Sequence, residues 1–143
     1  MPEEAATLHF ADLREGFSVE FSVDLLPEMI TQFAELSGDK NPLHVDPVYA
    51  ATTPFHGCIA HGLLGASFIS RLIGMYLPGR DALYLSQELF FRAPMYAGMR
   101  LVVRGVVLQR TEATRTITIS TEVFDEKTHQ LLIGGKALVK LLA

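Results

Sequence analysis

"HGLLGASFISRLIGMY", residues His61–Tyr76, carries apolar side chains on nearly every helical face and one charge, Arg71. A helix of this kind has no polar face to offer water, so the sequence predicts one wrapped by other structure at the centre of the fold. The apolar run begins at Cys58 and ends at Arg71, short of the roughly 20 residues a membrane span needs, so no membrane partner is expected. Gly65 and Gly74 each disfavour helix by about 1 kcal/mol relative to alanine, which points to close packing or a ligand. The missing side chain of Gly65 would either deepen a pocket or relieve packing.

The chain changes character on either side of this segment. Downstream, "ALYLSQELFF", "MRLVVRGVVLQR", "TRTITISTEVFD" and "QLLIGGKALVKLLA" are rich in β-branched and aromatic residues and read as four strands. The separators "RAPMYAG", "TEA" and "EKTH" are short and polar or carry proline and glycine, so neighbouring strands are expected to pair antiparallel. Upstream, "FSVEFSV" (Phe17–Val23) alternates like a half-buried strand. "DLLPEMITQFAELSG" then reads as a short amphipathic helix. Asp24 is its expected cap, Pro27 lies in its first turn, Met29, Ile30, Phe33, Ala34 and Leu36 form its apolar stripe, and Gly38 stops it. A further helical turn is expected over Pro47–Ala51. One strand, then helices, then a run of strands predicts an α+β domain: a curved antiparallel sheet around a central buried helix, one domain over residues 1–143.

Composition narrows the function classes. With 143 residues, 49% hydrophobic, the chain can bury a sizeable core. A net charge of -4 and 20% charged residues give no chain-wide phosphate-binding surface, so nucleic acid is not an expected partner. One cysteine, Cys58, and the acidic start "MPEEAATLHF" fit a cytoplasmic protein.

Between the two helical segments lies "SGDKNPLH", Ser37–His44. Asn41 and Pro42 favour a turn there, so the stretch reads as a loop. Asp39 and His44 are five residues apart and could be brought onto one water, the carboxylate as base and the imidazole as acid. They could equally be ordinary turn and surface residues. The N–H of Gly62, at the start of the buried helix, would be unpaired and suited to an anionic oxygen, although the glycine could also simply open the helix. Other constellations fall away. "GASFI" has isoleucine, Ile69, where a nucleophile elbow needs its second glycine. His44, Asp46, His56 and His61 match no metal-ligand spacing and read as ordinary polar residues, and no phosphate-binding glycine loop is present in the sequence.

Together, Phe33, "SGDKNPLH" and "IAHG" some fifteen residues further on resemble the signature of the MaoC-like, R-specific enoyl-CoA hydratases of hydratase 2 type, including small bacterial members that feed polyhydroxyalkanoate synthesis. The resemblance implies a hot-dog fold and reversible syn hydration of trans-2-enoyl-CoA to (R)-3-hydroxyacyl-CoA. It assigns Asp39 and His44 as the catalytic dyad, Gly62 as the N–H donor to the thioester carbonyl, Asn41 as a brace for the histidine loop and Ser70 as a supporting helix residue. It implies an acyl-CoA substrate, no metal and no cofactor beyond the acyl carrier, and a homodimer. A single hot-dog unit favours short to medium acyl chains. Arg80, Arg92, Arg100 and Arg104 are candidates for the coenzyme A phosphates, though each reads more readily as a solvated surface residue. Competing readings are a dehydratase acting on acyl carrier protein or on branched or dicarboxylic CoA esters, and, of another class, a non-catalytic thioester-binding module or a thioesterase.

Overall fold

A computed structural model describes residues 4–143. Its regular elements are β1 (Ser18–Asp24), α1 (Pro27–Ser37), two short turns α2 (Pro42–Val45) and α3 (Pro47–Ala51), α4 (Gly62–Arg71), which runs directly into a π-helical turn (Leu72–Tyr76), then β2 (Ala82–Phe91), β3 (Arg100–Thr111), β4 (Thr116–Asp125) and β5 (Leu131–Leu141). The strands form one antiparallel sheet in the order β1-β3-β4-β5-β2. Strand alternation does what the sequence requires: along β4, Ile117, Ile119, Thr121, Val123 and Asp125 are buried while the residues between them are half-exposed. The buried side meets α4, whose Leu64 and Ile69, with Leu72 of the π-turn, pack among Leu101, Val103, Val123, Leu132 and Ile133. Each such side chain contributes about 1.5–3 kcal/mol by leaving water.

Four expectations need correction. The strands after α4 are not all paired in sequence order: β2 pairs β5, and β3 pairs β1 and β4. The link between β2 and β3, Arg92–Met99, is long enough to cross three strand spacings, roughly 14 Å, and it carries residues of the cavity wall on the way.

The central helix is not wrapped on every side. Leu63, Ser67, Ser70 and Gly74 form an exposed stripe at helical spacing, with Leu63 59% exposed, because the sheet covers one side of the helix only.

Asp24 does not cap α1. It faces Arg100 across the β1–β3 register and accepts a 3.0 Å hydrogen bond from its guanidinium, while Leu26 holds the N-cap position without a side-chain bond and Pro27 opens the helix.

Leu36 lies outside the buried stripe at 86% exposure. Helical geometry turns it roughly 120–160° from the buried pair Ile30 and Ala34. Gly65, left open between pocket and packing, belongs to packing: a Cβ there would lie 2.5 Å from Met95 Cε and 2.8 Å from Ile133 Cδ1, so those side chains already fill the space.

Candidate active site

The geometry of "SGDKNPLH" is assembled from short polar turns. Helix α1 ends at Gly38, whose φ of 80° is the left-handed conformation glycine adopts most readily and whose N–H donates to the Ala34 carbonyl at 2.9 Å. Ser37 Oγ then donates to the Phe33 carbonyl at 2.7 Å and accepts from the Asp39 N–H at 3.1 Å. The Asn41 N–H donates to Asp39 Oδ1 at 3.2 Å, and Asn41 Oδ1 accepts from the Leu43 N–H at 3.0 Å, capping α2 ahead of Pro42. Turn α2 carries His44, whose Nδ1–H donates to the Ile59 carbonyl at 2.7 Å. Turn chemistry is thus the means by which a carboxylate and an imidazole five residues apart come to one place.

Asp39, His44 and Gly62 line a single cavity of about 550 Å³, whose walls include Phe33, Phe55, Ile59, Leu63, Phe91 and Met95. One oxygen of Asp39 and one ring nitrogen each of His44 and His61 lie within 4.8 Å of one another. Asp39 is exposed and His44 half-buried, so both can meet a substrate entering the cavity. With Asp39 Oδ1 and His44 Nδ1 tied to the backbone, Oδ2 and Nε2 are the atoms left for chemistry. Gly62 opens α4, and among the described residues its N–H donates to no other group. The Phe91 ring stands against it: a Cβ on residue 62 would lie 2.7 Å from Phe91 Cε1. A carboxylate, an imidazole and a helix-start N–H around one mostly apolar space are groups that suit addition or elimination next to a carbonyl.

The other sequence candidates divide. Asn41 caps the turn that carries His44, its Oδ1 accepting from the Leu43 N–H. Ser70 does not line the cavity; it lies on the exposed stripe of α4, roughly 12 Å along the helix from Gly62. Among the arginines, Arg100 is held by Asp24 and Glu126, each at 3.0 Å, and these carboxylates push its pKa above the usual arginine value. Arg92 borders the cavity with its guanidinium 4.8 Å from the Phe90 ring centre, whereas Arg80 and Arg104 are surface residues that do not line it. Asp46 caps α3 and His56 is exposed, so neither joins His44.

His61 is the residue that sequence reasoning passed over as an ordinary polar histidine. It is 2% exposed, stacks on His44 with ring centres 4.0 Å apart, and touches Phe33 at 4.8 Å. The available signal was an imidazole inside an apolar run, immediately before the glycine that opens the central helix.

The model of the MaoC-like domain matches residues 11–128. The chain is 38% identical over 145 residues to a 3-hydroxybutyryl-CoA dehydratase of Methylorubrum extorquens, covering 99% of this chain and 88% of that one. It is 41% identical over 112 residues to an (R)-specific enoyl-CoA hydratase of Aeromonas caviae, covering 78% and 83%. A solved (R)-hydratase from A. caviae, described as involved in PHA biosynthesis, superimposes with a TM-score of 0.86 at 38% identity over 90% of this chain and 97% of that one. The sheet and its central helix are therefore the hot-dog fold.

Proposed function

The chain belongs to the MaoC-like domain family, and on that premise we propose that it is an R-specific enoyl-CoA hydratase. It hydrates trans-2-enoyl-CoA reversibly to (R)-3-hydroxyacyl-CoA. The observation that carries this reading is the meeting of Asp39, His44 and the Gly62 N–H around one cavity.

In the hydration direction Asp39 takes a proton from water as the water oxygen bonds to C3 of the enoyl group. The C2–C3 π electrons move toward the thioester, and the enolate-like oxygen is stabilised by the Gly62 N–H at the positive end of α4. Imidazolium His44 delivers the proton from Nε2 to C2. Passage of the proton from Asp39 to His44 restores the starting state, so atoms and charge balance. With both groups on one face of the double bond, the addition is syn, and the R configuration at C3 is taken from the (R)-specific hydratases that the chain resembles. The thioester already activates C3, so orientation and charge stabilisation suffice. Loss of enoyl absorbance with crotonyl-CoA and hexenoyl-CoA tests the activity, and release of free thiol in the same reactions would instead indicate a thioesterase. The same acyl group offered on coenzyme A and on acyl carrier protein separates the carriers. A single hot-dog unit suits short to medium chains, and the (R)-3-hydroxyacyl product is of the class from which a polyhydroxyalkanoate is made.

The functional form in this reading is a cytoplasmic homodimer of one-domain chains. Strand β2 is an edge of the sheet yet exposes Leu83, Leu85, Phe90 and Phe91, and Leu63 of α4 adds to that apolar surface. Monomeric proteins rarely leave such an edge uncovered. Sedimentation is expected to give twice the mass of one chain, and Leu85→Lys to shift the protein to monomer. A wild type that sediments as a monomer at micromolar concentration would remove the dimer from this account.

A further inference from the structure

We propose that His61 is a positioning residue for the hydration reaction, its imidazole holding Asp39 and His44 in register with the N–H of Gly62; the proposal rests on the hydratase reading above. Three contacts converge on this one side chain. Its Nε2–H donates to the main-chain carbonyl of Asp39 at 2.9 Å. One face stacks on the His44 ring at 4.0 Å, and Phe33 packs on it at 4.8 Å. Its backbone forms the N-cap of α4, immediately before Gly62.

The bond to Asp39 differs in kind from the turn bonds around it, and shares its long reach with the bonds that join His44 and Leu43 to Ile59, just ahead of α4. The bonds joining Ser37, Asp39, Asn41 and Leu43 span two residues each and fix the local shape of the loop, not its position against α4. The His61 bond spans 22 residues and ties the loop to the helix that presents Gly62.

The tautomer gives the sharper argument. A carbonyl can only accept, so Nε2 carries a proton, and in the neutral ring Nδ1 is then a bare acceptor. That Nδ1 is buried and has no hydrogen-bond partner among the described residues. Burying an unpaired acceptor costs stability. A phenyl ring in the same place would keep both ring contacts and avoid that cost, but it could not donate to Asp39. The imidazole is thus a poorer core residue than phenylalanine and a better anchor for the dyad.

The test uses the full-length protein with crotonyl-CoA. Nitrogen-15 NMR of wild-type histidines is expected to show a His61 ring proton on Nε2. His61→Phe is expected to melt at or above the wild-type temperature yet to lose roughly 10- to 100-fold in kcat, as misplacement of reacting groups does, with KM changed less than about twofold. His61→Gln, which retains an N–H donor of similar reach, is expected to recover several-fold of that loss. A His61 ring with no proton on Nε2, or a stable His61→Phe enzyme with wild-type kcat, would overturn the proposal, as would a Gln variant no faster than the Phe variant. A wild type with no hydratase activity would overturn the functional reading instead, while the tautomer would still decide whether the His61–Asp39 contact exists.

Discussion

Asp39→Asn and His44→Ala are each expected to fold and to lose roughly 10²- to 10⁴-fold in kcat for enoyl-CoA hydration, the range for removing a positioned base or acid. Asparagine retains the Oδ1 acceptor that receives the Asn41 N–H, so the turn survives, and Asp39 is exposed, so its charge contributes little to the fold. What disappears is the base for water. His44→Ala removes the 2.7 Å bond to Ile59 and the stack on His61, at a net stability cost of about 0.5–1.5 kcal/mol for the hydrogen bond. Melting curves and single-substrate kinetics on the same preparations check both halves. Full activity in Asp39→Asn would contradict the mechanism, and an unfolded His44→Ala would return that histidine to a structural role.

The second large effect is expected at Gly62, from a pair of substitutions that separates shape from hydrogen bonding. Gly62→Pro deletes the N–H at the first helical position, where proline is well tolerated, and His61 before it already has the extended ψ of 135° that a following proline requires. Gly62→Ala adds the same Cβ, which would sit 2.7 Å from Phe91 Cε1, but keeps the donor. The contact is with Phe91 ring atoms and not with backbone, so neither change should unfold the protein. The proline variant is expected to lose about 10²–10³ in kcat, equivalent to 2.7–4 kcal/mol. The alanine variant is expected to change mainly KM. Equal kcat losses in the two would assign the effect to crowding rather than to the missing N–H.

Much of this arrangement was legible in the sequence, and the parts that were not have physical reasons. Strand and helix periods identified the sheet and α4 because burial on one face imposes them on the residues. They could not say that β2 closes the far edge of the sheet, since the pairing partner of a strand is a long-range choice that local periodicity does not encode. The apolar pattern of α4 was correctly read as buriable, but its Leu63 stripe lies on the side away from the sheet, and a sequence does not say which neighbour will cover a face. At the site, Asn41 and Pro42 declared a turn, and the turn is what places Asp39 and His44 together. Ser70 was proposed from the resemblance, yet it lies two helical turns past the cavity. His61 stood out in the sequence only as an imidazole inside an apolar run; its contacts, to the Asp39 carbonyl and the His44 ring, exist only after α4 docks against the loop.

The central claim is that one water is delivered from one face by Asp39 and His44. The most direct measurement is hydration of crotonyl-CoA in deuterated water, with the configuration of the product determined at both C2 and C3. The account predicts R at C3 with the deuterium at C2 added to the same face as the hydroxyl. An S product, or deuterium on the opposite face, would contradict it.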